Sequence, residues 1–536
     1  MKTYSREQFV KDVTAGIIVA IIALPLSIAL ALASGVGPEA GIFTAIVAGF
    51  VISALGGSSV QIAGPTAAFA TIVAGIVAKN GLDGLVIATI LAGIFLILMG
   101  LCHFGTLIRF IPYTITTGFT AGIAVTIVIG QLKDFFGVTY PDGVKPIETM
   151  EKLHAFVENC GTVNLSAVIV GVVSLAILII SPYIFKKIPG SLLAVVAGIL
   201  MVKFLPLKAS TIGDLYSISN ALPGFHLPAL SLAAVKDAIP NAFTIAVLAA
   251  IESLLSCVVA DGMINGKHRS DMELVAQGAG NIASALFGGI PATGAIARTA
   301  ANIKNGGRTP IAGMVHSITL VLVLVVLMPY AGMIPMPTIA AILFVVAYNM
   351  CQWRPFAHLI QTAPKSDILV LLVTFFLTVV FDLVVAIEIG MLLTCLLFMK
   401  RMSDETHVDS WTYVDDDSDA VNDHMQKLAK GIRVYEITGP LFFGAANAIE
   451  HIVVKDFTKC LVLRMRSVPA LDSTAMNALQ NLVKYCEAKG ITPIFSHVNE
   501  QPMHVMEKAG FVELVGKDNF CANISDALKR AEELIK

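Results

Sequence analysis

Residues 288–302 read GGIPATGAIARTAAN and set an arginine, Arg298, in a glycine-rich stretch of small residues flanked by long apolar runs. An arginine at the centre of a membrane helix costs about 2.5–3.5 kcal/mol even on the permissive insertion scale. Such a group either faces a polar cavity or snorkels to the membrane surface, so the surroundings of the stretch decide its meaning. The chain has 536 residues, 56% of them hydrophobic and 14% charged, with a mean hydropathy of +0.80. Soluble domains carry about 25% charged residues. The composition is that of a membrane protein.

Charge divides the chain. Residues 401–536 hold 15 Lys and Arg against 20 Asp and Glu, whereas 1–400 hold 21 against 18. The break follows Lys400-Arg401, with the acidic Asp415-Asp416-Asp417 beyond it. We therefore expect a membrane domain over 1–405, a linker over 406–430 and a soluble domain over 431–536. Apolar segments recur at 15–43, 41–56, 64–78, 84–104, 106–131, 163–184, 190–205, 238–260, 273–288, 294–303, 310–331, 335–350, 366–381 and 383–399. This predicts an α-helical polytopic fold of fourteen segments. A span needs about 20 residues, so 64–78 and 294–303 are too short and read as half-helices. With the N-terminus inside, inner loops carry fourteen Lys and Arg and outer loops seven, which obeys the positive-inside rule. Both termini are then cytoplasmic. Lys2, Arg6, Lys11 and the run ending Ala31-Leu32-Ala33 imitate a signal peptide, but the spans that follow make that run one of their number. Eight cysteines show neither CxxC nor Cys/His spacing, so no disulfide framework or metal site is expected.

The opening stretch has a counterpart. Residues 56–66, GGSSVQIAGPT, and 288–294, GGIPATG, each carry a glycine pair, then a proline and a threonine, then a short apolar helix. Seven segments per half is an odd number, so the second half enters from the opposite side. That is an inverted 7+7 repeat whose broken helices meet near the midplane. Helix N-termini expose unpaired N–H groups and bind anions, and irregular backbone at membrane depth faces protein or a watery cavity. Candidate anion-binding residues are Ala63, Gly64, Pro65, Thr66 and Ala67, facing Thr293, Gly294, Ala295, Ile296, Ala297 and Arg298. The plainer alternative is a pair of tight turns between spans.

Glu252 is the complementary anomaly, twelfth of the twenty residues 241–260 and one turn from Ser256. A midplane carboxyl marks an ion pathway by default. It binds a proton, coordinates sodium together with Ser256, or neutralises Arg298. Pro25 and Leu26 interrupt the first span and suit a cavity wall or a kink. Asp382 and Glu388 read as the outer end of a pair of spans, and His103 and His316 as packing residues.

Residues 23–37 (ALPLSIALALASGVG), 56–66, 249–263 (AAIESLLSCVVADGM) and 288–302, with the tail, resemble the SulP (sulfate permease) family of anion transporters along nearly the whole chain. Residues 249–263 and 288–302 are most similar to its bacterial C4-dicarboxylate branch. The resemblance implies core and gate subdomains, an elevator-like movement, a homodimer, and an anion held between the short helices with Glu252 on the coupling side. The chain departs from the family at 39–43 (EAGIF), where a Tyr-Gly-Leu-Tyr type of stretch is common. It departs again at Leu26 and Leu30, where some members carry polar or aromatic groups.

The tail reads as strands at 432–438, 460–465 and 492–498, with helices at 440–453, 472–488, 503–509 and 524–535. It is similar to the STAS domain of anti-sigma-factor antagonists, on 437–442 and above all Leu471-Asp472-Ser473-Thr474. In those antagonists the last hydroxyl is phosphorylated, which marks Thr474, with Ser473 beside it. A helix cap is the alternative role. The tail has no nucleophile–base pair and no phosphate loop, so it suits regulation or a cytoplasmic protein partner, without enzymatic activity, cofactor or nucleic acid.

The expectation is a secondary active transporter in the inner (plasma) membrane. It would take up a small inorganic or carboxylate anion (sulfate, C4-dicarboxylate or bicarbonate) with H+ or Na+. The membrane potential opposes anion entry by about 2.3 kcal/mol per charge per 100 mV, which is why a coupling cation is expected. A passive anion channel or exchanger is the alternative.

Overall fold

A computed structural model describes residues 4–106, 111–141, 146–184, 189–205, 207–216, 218–219, 221–228, 231–381, 383–410, 431–450, 452, 454 and 457–536. The chain forms two compact units, 1–391 and 392–536.

The first unit contains α1 (Arg6–Ala33), α2 (Pro38–Leu55), β1 (Ala63–Gly64), α3 (Ala67–Leu101), α4 (Tyr113–Phe136), α5 (Thr149–Glu158), α6 (Leu165–Ile184) and α7 (Gly190–Phe204). A single turn, α8 (Ile212–Leu215), precedes α9 (Leu232–Ile264), α10 (Ser270–Leu286), β2 (Thr293–Gly294), α11 (Ile296–Lys304) and α12 (Pro310–Ala331). Then come α13 (Met336–Cys351), α14 (Trp353–Thr362), α15 (Lys365–Val380) and α16 (Leu383–Asp404), which runs on into the second unit. Local chemistry sets the ends. Ser5 accepts from the Gln8 N–H to start α1, Pro38 opens α2, and Gly137 closes α4 in the left-handed region at φ 61°.

Among the described residues, eight helical stretches are long and apolar enough to cross a membrane, one of them α13 and α14 taken together over Met336–Thr362. The segments expected at 64–78 and 84–104 are two helices that meet directly at Gly81, φ 71°, within α3. No loop is needed because glycine reaches that conformation without a steric penalty. α1 runs on through Pro25 as one helix. Asp382 lies outside the described residues.

The helices pack in two groups. In one, α3 packs on α9 and α10, α2 on α10 and α12, α1 on α2 and α12, and α11 on α9 and α1. In the other, α4 packs on α13 and α15, and α6 on α13 and α7. Small residues permit the tightest crossing. A Cβ at Gly93 of α3 would collide with the Gly278 carbonyl of α10, and one at Gly278 with the Gly93 carbonyl. Asp12 joins the start of α12 to α1, accepting from the Arg308 N–H (2.8 Å) and the Thr309 hydroxyl (2.6 Å).

The second unit is an α/β domain whose five-stranded sheet has the order β3 (His407–Ser410), β4 (Ile432–Thr438), β5 (Cys460–Ser467), β6 (Thr492–Ser496) and β7 (Phe520–Cys521). β3 is antiparallel to β4 and the other pairs are parallel. Its helices are α17 (Asn447–Glu450), α18 (Ser473–Ala488), α19 (Glu500–Lys508), α20 (Phe511–Val515) and α21 (Ile524–Ile535). Alternation along the strands divides the core. Tyr435, Ile437, Leu461, Leu463 and Phe495 pack with Leu479 and Val483 of α18, while Ile432, Val434, Val462 and Ile494 pack with Ala527, Leu528 and Ala531 of α21.

Three expectations for the tail need correction. The supposed linker begins with a strand, since residues 407–410 complete the edge of the sheet beside β4; its remainder, 411–430, lies outside the described residues. The helix expected over 440–453 shrinks to Asn447–Glu450, because Leu441 is held in a bridge to Leu471. Residues 451 and 453 lie outside the described residues. α20 and β7, which carry no periodic signal at five and two residues, were not expected.

Candidate functional site

Between α2 and α3, and again between α10 and α11, the chain passes through two extended residues, and these pair with each other. Ala63 lies opposite Gly294 and Gly64 opposite Thr293, antiparallel. The Ala295 N–H lengthens the pairing by donating to the Ile62 carbonyl at 2.9 Å. α3 then starts at Ala67 after Thr66, and α11 at Ile296 after Ala295, neither with a side-chain cap. The two motifs matched in the sequence are brought together. The approach is so close that a Cβ at Gly64 would strike the Arg298 guanidinium, and one at Gly294 the side-chain amide of Gln61.

Arg298 is 2% exposed, so it does not snorkel. Its Nη2 donates to the Pro65 carbonyl (3.2 Å) and to Ser27 Oγ (3.3 Å), whereas Nη1 is buried without a partner among the described residues. Glu252 accepts a hydrogen bond from the Thr66 hydroxyl at 2.7 Å. Consecutive residues, Pro65 and Thr66, therefore hold the cation and the carboxyl, and Arg298 directs its bonds elsewhere than to Glu252. Thr293 Oγ1 donates to the Ala249 carbonyl at 2.9 Å and fixes β2 to α9.

Ala63, Gly64, Pro65, Ala67, Thr293 and Gly294 are buried, Thr66 and Ala295 half-buried, and Ile296 and Ala297 exposed. Ser256 is fully buried and donates to Thr299 Oγ1 at 3.4 Å, so it shares no hydrogen-bond partner with Glu252. Pro25 is buried on the wall of an apolar cavity beside Leu24, Ile28 and Ile42, and Leu26 is half-buried. The α1 residue that reaches Arg298 is the next one, Ser27, a mid-span hydroxyl that sequence reasoning passed over.

Glu273 was also missed. Fully buried in the first turn of α10, it accepts from Gly57 N (2.8 Å), Ser58 N (3.2 Å), Ser253 Oγ (3.1 Å) and Gln277 Nε2 (2.9 Å). Ser253 Oγ in turn accepts from Gln61 Nε2 at 2.9 Å, and the Cys257 thiol donates to Gln61 Oε1. Four donors on one carboxylate match its lone pairs and make it an anchor for the loop leading into β1. The carboxylate within GGSS-linked packing was legible only as an early-helix Glu, a position that usually means a favourable dipole contact. His316 is fully buried, and neither ring nitrogen has a partner among the described residues.

In the tail, Asp472 is the cap of α18: Oδ1 accepts from the Ala475 N–H and Oδ2 from the Phe443 N–H, each at 2.8 Å. Ser473 and Thr474 stand exposed in the first turn, neither serving as the cap.

The chain matches the sulfate permease family over residues 9–374 and the STAS domain over residues 426–527. It is 39% identical over 532 residues to "Putative sulfate transporter YvdB" of Bacillus subtilis, with 97% of each chain covered. It is 31% identical over 538 residues to the bicarbonate transporter BicA of Picosynechococcus sp., covering 97% of this chain and 94% of the other. Its fold is similar to that of the murine Solute Carrier 26 family member A9 anion transporter in the inward-facing state, with a TM-score of 0.89 and 18% identity over 99% of this chain and 93% of that one. Family, fold and paired helix starts agree: this chain is a membrane protein of the sulfate permease family with a C-terminal STAS domain.

Proposed function

We propose that the chain is a secondary active transporter that takes a small anion into the cell with a proton or a sodium ion. The observation that carries this reading is the β1–β2 pairing, which brings the uncapped starts of α3 and α11 together beside the unpartnered Nη1 of Arg298. Helix N-termini and guanidinium groups both favour an anion. Glu252 is the coupling group. We assign its hydroxyl partner to Thr66 rather than Ser256, whose hydroxyl is bonded to Thr299. Anion and coupling ion then share the Pro65–Thr66 turn, so loading one alters the field felt by the other.

Sulfate, bicarbonate and a C4-dicarboxylate are the substrates proposed: the names of the relatives support the first two, and residues 249–263 and 288–302 the third. The fourteen segments form a 7+7 inverted repeat in which the two helix groups act as core and gate, exposing the site to each side in turn. We place the membrane domain at 1–405 and the STAS domain at 431–536, whose sheet the strand 407–410 completes. The protein works as a homodimer in the inner membrane with both termini in the cytoplasm. Its STAS domain binds a cytoplasmic protein, with Ser473 or Thr474 open to phosphorylation.

Uptake of labelled sulfate, bicarbonate and succinate into proteoliposomes, with and without a pH or sodium gradient, tests the reading. The expected result is accumulation of one anion driven by one gradient, lost in Glu252→Gln while anion binding persists. Flux that ignores both gradients would establish a channel or exchanger instead.

A further inference from the structure

The helix α14 has no role in the site, and none of its ten residues is buried. Trp353, Phe356, Ala357 and Ile360 recur at i, i+3, i+4 and i+7 and form one apolar stripe, while Arg354, His358, Gln361 and Thr362 form the opposite face. Phe356 packs on Phe375 of α15 with ring centroids 5.5 Å apart, and the helix rests against α4. The ends of the stripe stay open, with Trp353 49% and Ile360 41% exposed beside Tyr348 at 63%. Trp353 Nε1 donates to the Tyr348 hydroxyl at 3.1 Å, and the Arg354 guanidinium lies 5.4 Å from the Trp353 ring.

What covers the open stripe follows from its place in the chain. α14 is joined to the apolar helices α13 and α15 by one residue, Gln352 in the left-handed region at φ 45°, and by Ala363-Pro364. Ten helical residues span about 15 Å, half the roughly 30 Å hydrocarbon core. A short amphipathic helix tied at both ends to membrane helices lies along the bilayer boundary, where Trp and Tyr also concentrate. Charge names the lipid. From Gln352 to Lys365 there is no acidic residue, while Arg354 and Lys365 are cationic, and the nearest acid, Asp367, accepts from the Ser366 hydroxyl at 3.0 Å.

We infer that α14 is an interfacial helix whose apolar stripe sits at the acyl boundary and whose Arg354, with Lys365, binds the phosphates of anionic lipid headgroups. This does not depend on the transport reading. Each cation near an anionic surface is worth about a fivefold preference for that lipid.

The chain has two tryptophans, Trp353 and Trp411, so full-length Trp411→Phe protein in vesicles reports on α14 alone. In phosphatidylcholine–phosphatidylglycerol vesicles, Trp353 fluorescence should be quenched by lipid brominated near the headgroup more than by lipid brominated at mid-chain. At equal mole fraction, brominated phosphatidylglycerol should quench more strongly than brominated phosphatidylcholine. That preference should vanish in Arg354→Glu/Lys365→Glu while quenching by brominated lipid itself persists. Quenching by aqueous iodide without quenching by lipid would overturn the inference, as would protection from both, which means protein covers the stripe. Equal quenching by the two lipids in the wild-type charge background overturns the anionic preference.

Discussion

The two helix starts share a backbone design and differ in what their side chains do. At the first, Pro65 and Thr66 are the hubs: one carbonyl takes Arg298 and one hydroxyl binds Glu252. At the second, the polar groups turn to the scaffold, with Thr293 bonded to Ala249, Thr299 to the Ile62 N–H and the Ala295 N–H to the Ile62 carbonyl. The second start contributes the cation and the first holds it. The two starts share a main-chain form and divide the side-chain labour.

The largest test of this comparison strikes what the halves share. Gly64→Val places side-chain atoms on the Arg298 guanidinium and Gly294→Val places them on Gln61. Overpacking of this kind typically costs about 1–3 kcal/mol, and here it also separates the strands. Both variants should lose anion uptake in liposomes; a Gly294→Val protein with normal uptake would break the symmetry of the pairing. A smaller effect separates the halves. Arg298→Lys keeps the charge but replaces a planar fork with a single ammonium, which cannot reach Pro65 and Ser27 while offering a further donor to a ligand. Charge-assisted bonds contribute about 1.5–3 kcal/mol, so anion affinity measured by titration calorimetry should fall about 10- to 100-fold. The smallest is Thr66→Val, which removes one neutral hydroxyl from Glu252 at a cost of about 1 kcal/mol. Because the lost bond is made to the ionised carboxylate, proton-coupled uptake should reach half-maximum at about fivefold lower proton concentration, with anion affinity nearly unchanged; a fall in anion affinity instead would place Thr66 on the anion.

Much of this was legible in the sequence because membrane burial makes polar residues conspicuous. Arg298 and Glu252 stand out in apolar runs, and the repeated glycine, proline and threonine fixed where the helices start. The segment starts were less legible: α1 begins at Arg6 and α9 at Leu232, ahead of the expected 15 and 238, since a helix continues through polar residues once its ends leave the apolar layer. Glu273 and Ser27 escaped notice for a different reason. Their meaning depends on partners far along the chain, Gly57 and Ser58 for one and Arg298 for the other, and spacing along a helix carries no trace of such contacts. In the tail, strand alternation located β4, β5 and β6, but β3 and β7 are edge strands too short or too polar to show a period.

The pairing of Ala63–Gly64 with Thr293–Gly294 also works as a gauge. Because these four residues pair with one another just before α3 and α11, the gap between the two helix starts is set by main-chain contacts. Under the proposed reading, the space left to an anion is bounded by two glycines, and Leu26, Ile296 and Ala297 stand outside that pairing.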